Sequence, residues 1–135
     1  MISVLIMGIG LLGIAAMQAT ALRNSQSSLE RSQAVIQSYT ILEAMRANRA
    51  AALTNQYNLA QTCDPPAANA TLAQNDVRNW ITQLEQTLGN SANTCGAIAC
   101  NAGNCLVTVQ WDDSRGADNA GASSATYTIS TRTQL

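Results

Sequence analysis

Four cysteines, Cys63, Cys95, Cys100 and Cys105, are the side chains of this 135-residue sequence whose type and number first suggest covalent or metal chemistry. The set is even, and in an oxidising compartment an even set reads as two disulfides. Three pairings are open to four cysteines. The favoured one joins Cys100 to Cys105 across an Asn101-Ala102-Gly103-Asn104 turn and Cys63 to Cys95, from a loop to the start of a sheet. Closing the longer loop is worth about 3–4 kcal/mol in the chain-entropy description. A structural zinc or iron–sulfur centre fits less well, because Cys63 stands apart from the other three and the chain has no histidine. No C-x-x-C redox pair is present.

With neither histidine nor lysine, the chain offers no imidazole base, no imidazole ligand and no Schiff-base amine. Its serines and threonines are left as cap, turn and strand residues. Asp112-Asp113, with Asp118 nearby, lack the spaced oxygen ligands of a calcium loop and are expected to form a solvated strand end. Trp80 and Trp111 are expected to anchor the core rather than stack on a ligand. Seven arginines are scattered from Arg23 to Arg132 against eight acids, a net charge of −1. No basic cluster exists to neutralise phosphates, which argues against nucleic acid as a partner. Glu43 and Arg46 have the spacing of a local helical ion pair, with Arg49 one turn further on. The expectation is a non-enzyme without cofactor, metal or small-molecule substrate.

These residues must be positioned by a few elements. From Ile14 to Asp64 there is neither glycine nor proline, and the stretch is rich in Ala, Leu, Gln, Glu and Arg; one helix from the start to about Leu53 is predicted. Leu22, Leu29 and Ile36 recur every seven residues, and Val35, Tyr39, Leu42 and Met45 follow at three- and four-residue steps. This is an apolar stripe expected to pack against the helix's own domain, the alternative being a coiled-coil seam with an identical chain. Asn55 to Asn69, with Asp64-Pro65-Pro66, reads as a loop. Val77, Trp80, Ile81, Leu84 and Leu88, ending at Gly89, predict a second helix over 70–88. Strands are predicted at Leu106–Trp111 and Ala125–Thr133, with a third around Gly96–Cys100, as an antiparallel meander. Ser114 to Ser124 reads as a surface loop.

The most distinctive stretch is the beginning. Met1 to Leu22 (MISVLIMGIGLLGIAAMQATAL) has no charged side chain, and Met1 to Met17 is interrupted only by Ser3. About 17–25 predominantly apolar residues cross a bilayer core, so the run is just long enough to span. A cleaved signal peptide would carry a basic start and a small-residue cleavage site followed by a loop, whereas this segment runs on as helix. A buried core helix would need more apolar surroundings than the remaining sequence supplies. Gly8, Gly10 and Gly13 weaken a helix in water but suit a membrane helix and close helix approach.

The run ISVLIMGIGLLGIAAMQATALRNSQSSLERSQA, followed by LEAMRANRAA at Leu42 to Ala51, resembles the N-terminal helix of type IV pilins, and more narrowly that of minor pilins of the PilV class. The similarity is carried by Ile9 to Gly13, Met17-Gln18, Leu22 to Asn24 and Met45 to Asn48. The family's basic leader, its peptidase-site glycine, its methylated first residue and its early glutamate have no counterpart here, no acid preceding Glu30. The sequence is therefore read as starting inside the motif. The resemblance implies an α+β, pilin-like fold, with residues 1–22 as membrane or filament-core helix and 23–135 as head. It implies a bacterial inner-membrane protein with a periplasmic head that enters the cell-surface pilus. Its implied role is initiation and assembly of type IV pili, with the major pilin, other minor pilins and a tip adhesin as partners. Leu5, Ile9, Leu11, Leu12 and Ile14 are the residues expected to pack in membrane and filament. The alternatives are a minor pseudopilin of a type II secretion system and a membrane-tethered periplasmic binding module.

Overall fold

The computed structural model describes residues 2–68, 70–89, 92–114 and 126–135. Helix α1, Ile2–Ala47, runs unbroken for 46 residues, about 69 Å at 1.5 Å per residue. It does not continue to Leu53 as one piece. Asn48 (φ −117°, ψ 51°) offsets it from the short helix α2, Arg49–Leu53, and the Asn48 side chain turns to the Tyr57 hydroxyl at 3.3 Å. The predicted loop that follows holds a strand, β1, Leu59–Thr62. Helix α3, Leu72–Leu88, starts where the Thr71 hydroxyl accepts the Gln74 amide and ends at Gly89 in a positive-φ conformation, which is helix punctuation at both ends.

Strands β2, Cys95–Asn101, β3, Asn104–Asp112, and β4, Thr126–Gln134, complete a four-stranded sheet of order β1-β2-β3-β4. Every pairing is antiparallel. The β2–β3 hairpin turns through Ala102 (φ 48°) and Gly103 (φ 83°), the two consecutive positive φ values that match the twist of the flanking strands. The predicted connection after Ser114, with Asp118, lies outside the described residues.

The protein is thus α+β, with α1 and α3 laid on one face of an antiparallel sheet. On β3 the alternation points Cys105, Val107, Val109 and Trp111 inward, and on β4 Ile129 joins the core from its edge. From the helices come Ile41, Leu42, Met45, Val77, Trp80, Ile81 and Leu84. Trp80 fixes the layer spacing, since its indole N–H donates to the Gln37 carbonyl of α1 at 3.0 Å. Its ring and Ile81 lie where a side chain on Gly96 would stand, at 2.6–2.7 Å from an added Cβ, so only glycine lets β2 pass beneath α3.

The stripe expected along α1 divides. Leu42 and Met45 are buried in the head, but Leu22, Leu29, Val35, Ile36 and Tyr39 are exposed. The head-facing residues are instead Ala34, Gln37, Ser38, Ile41, Leu42 and Met45. Small and amide side chains let α3 approach α1 closely here, and a stripe read from large apolar residues alone misses that face.

Candidate functional site

The part of α1 that precedes the head makes no tertiary contact that buries it. All of its residues from Ile2 to Gln26 are exposed, and its most apolar stretch is long and apolar enough to cross a membrane with none of it buried inside the protein. Leu5, Ile9 and Leu12, at i, i+4 and i+7, fall on one side and border a shallow apolar groove with Val4 and Gly8. Leu11 and Ile14 share the exposure, 66% and 56%, but not the groove. A Cβ added at Gly8, Gly10 or Gly13 would meet no atom within 4 Å. The fold of the head therefore gives no reason for these glycines, and close approach by something outside the chain would use them.

Where α1 meets the head, Asp113 is 2% exposed, and one carboxylate oxygen accepts the Ser27 hydroxyl at 2.6 Å. The neighbouring Asp112 accepts the Ser114 amide at 2.9 Å and the Asn93 side chain at 3.3 Å. The expected solvated strand end is therefore a structural tie: the end of β3 is pinned to the helix as the helix leaves the head. Arg31 sits 4.7 Å from the centre of the Tyr127 ring, which in turn stacks on Trp111 at 6.1 Å. Trp80 and Trp111 are both buried and serve as core anchors.

Cys63 is bonded to Cys95 and Cys100 to Cys105, the pairing favoured from the turn and the loop. Cys100 and Cys105 are direct cross-strand partners in the β2–β3 hairpin, while Cys63–Cys95 ties the end of β1 to the start of β2 around α3. All the cysteines are thus taken up by the scaffold.

Tyr57 is fully buried, and nothing in the sequence marks one tyrosine in a polar loop for such a place. Its hydroxyl donates to Asp76 of α3 at 2.7 Å and accepts from Asn48, joining the α1–α2 offset to α3. Burial, and secondarily the Asp76 carboxylate, push its pKa from 10 up to about 12. Arg46 is paired with Glu43, as the spacing indicates, and also reaches Thr133 of β4 at 3.2 Å. Arg49 donates to the Leu135 carbonyl at 3.1 Å, so the C-terminal residue is held against the helices.

Among the described residues no three His, Cys, Asp or Glu side chains are grouped to hold a metal ion. The arrangement defines a class of molecule: a small disulfide-bonded α+β head carried on a helix that reaches far beyond it and is apolar enough to cross a bilayer. No family model, curated protein or solved structure matches the chain.

Proposed function

We propose that this protein is a minor pilin of the type IV pilus, held by α1 in the bacterial inner membrane with its head in the periplasm, and later inserted through the same helix into the filament. The observation that carries the reading is the division of α1. Its second half is built into the head, and its first half is an uncharged, glycine-containing apolar helix that nothing among the described residues covers. Lipid and a bundle of similar helices are the two surroundings that satisfy such a surface without changing it. The similarity of Ile9 to Gly13, Met17-Gln18, Leu22 to Asn24 and Met45 to Asn48 to pilin helices supports the same reading, and the two disulfides suit an oxidising periplasm. Major pilin, other minor pilins and a tip adhesin are the partners in this scheme.

Mass spectrometry of filaments sheared from cells and of the corresponding membranes tests it. Peptides of this chain in the filament fraction, with an N-methylated N-terminal residue, are the expected result. Detection in membranes alone, with an unprocessed N-terminus, would overturn the proposal.

A further inference from the structure

The two edges of the sheet are unlike. β1 closes one side with four residues, an irregular register against β2, and Asp64-Pro65-Pro66 directly after its disulfide. Shortness, irregularity and proline are what keep a strand edge from pairing with another chain. β4 closes the other side with nine residues in unbroken register with β3, and it has no proline, no lysine and no acid, Arg132 being its one charge. Past its end the Leu135 N–H donates to the Gly103 carbonyl at 2.8 Å. Because opposed residues of an antiparallel pair are hydrogen-bonded alternately, Tyr127, Ile129, Thr131 and Thr133 bond to β3. Thr128, Ser130, Arg132 and Gln134 turn their main-chain N–H and C=O groups outward, and no described strand pairs with them.

The surroundings specify what fits along this edge. Arg31 over Tyr127 and Arg46 at Thr133 show that α1 runs in the same direction as β4, about 22 Å of helix beside about 20 Å of strand. By the 100° step of the helix, Val35 and Tyr39 lie on this β4 side of α1. They are exposed by 42% and 52%, and Tyr127 on the strand by 39%. A strand added to β4 places its inner side chains beneath this apolar overhang and its outer ones beside the exposed Arg132. Apolar residues at alternate positions and an acid next to Arg132 satisfy both sides. A second copy of the chain does not. Its β4 laid antiparallel reverses its α1, which two chains anchored in one membrane cannot do. Laid parallel, its β4 turns its outer face inward and brings a second Arg132 under the overhang. Its β1 covers four residues of the nine.

We infer that the free edge of β4 is a strand-addition site for a different protein, which contributes an extended segment with apolar side chains at alternate positions and an acidic one beside Arg132. Main-chain hydrogen bonds to Thr128, Ser130, Arg132 and Gln134 hold the segment, and the side chains select it. The inference rests on the membrane anchoring in the reading above, though not on filament entry. Photoreactive p-benzoylphenylalanine, incorporated singly into the full chain in place of Thr126, Thr128 or Gln134 and irradiated in native membranes and in sheared filaments, tests it. Ala99, exposed on the outer face two strands away, is the control position. Adducts with one other protein from all three edge positions, and none from 99, are the expected result. The contacted residues should fall in one segment, shifting along it by about two residues between 126 and 128 and about six between 128 and 134. Ser130→Pro, which removes only an outward N–H, should abolish the adduct formed at 128, and Arg132→Glu should lower it about fivefold; mapping of both native disulfides verifies that each head is folded. No adduct at the edge, an adduct of twice the chain's mass, equal yield at 99, or contacts scattered over separate segments would overturn it. Filaments that contain the chain without an edge adduct would sink the strand and leave the proposed function standing; a register-stepped adduct in a chain never found in filaments would do the reverse.

Discussion

Residues 2–22 and 34–47 of α1 are one continuous helix in opposite circumstances. The first segment buries nothing, while the second places Ala34, Gln37, Ser38, Ile41, Leu42 and Met45 in the head. The buried segment is the less apolar of the two in sequence. Hydrophobicity therefore does not tell where this helix belongs to its own domain; shape and chain topology do, through Trp80 on Gln37 and the small residues that admit α3. The stability of the head is set by residues after about Ser27, and the first segment is left to serve whatever surrounds it.

Variants can break that division from either side. The largest effect on stability is expected at Trp80, which touches both helices and β2. Trp80→Ala should cost about 3–5 kcal/mol of unfolding free energy, read by denaturant unfolding in detergent, and a loss below 1 kcal/mol would mean that α1 is not clamped to the head through this ring. Next comes the disulfide around α3. Replacing Cys63 and Cys95 together by serine should cost about 2–4 kcal/mol, without changing how much protein is found in the membrane. Ser27→Ala removes the hydrogen bond that the buried Asp113 accepts at the helix exit and should cost about 1–3 kcal/mol. Amide exchange should then rise at the end of β3 and stay as it was in β2.

The smallest effect is confined to alkaline solution. Because Tyr57 is held protonated up to about 12 in the folded head and titrates near 10 when unfolded, its contribution to stability is complete below pH 10. It is lost as the pH rises from 10 through 12. Unfolding measured across that window should show a steeper decline for the native chain than for Tyr57→Phe. Equal slopes would mean that the phenol is not buried against Asp76.

The helix α3 and the strands β3 and β4 are legible because each repeats a period over several residues, the apolar run because no charge interrupts it, and the Asn101–Asn104 turn because Gly103 and the asparagines mark it. The face of α1 that packs on the head is not legible in the sequence, since Ala34, Gln37 and Ser38 carry little hydrophobic signal and are buried by fit. The burial of Asp113 is hidden for a related reason. A carboxylate at a strand end looks solvated until the fold brings Ser27, 86 residues away, within hydrogen-bonding distance. Strand β1 is four residues long, too short to show an alternation, and exists because Asn58 fixes the neighbouring edge by bonding the Cys100 amide at 2.8 Å and the Cys100 carbonyl at 3.2 Å.

The central claim, that the first half of α1 acts in assembly and takes no part in the stability of the head, meets its most direct test at Leu12. An arginine at the centre of a spanning helix costs about 2.5–3.5 kcal/mol on the insertion scale, and Leu12 lies 74% exposed on the grooved side. Filament incorporation of Leu12→Arg is to be quantified in sheared fractions beside the unfolding midpoint of its head. Incorporation abolished with the midpoint unchanged is the predicted result. Normal incorporation, or a head that unfolds with the substitution, would contradict it.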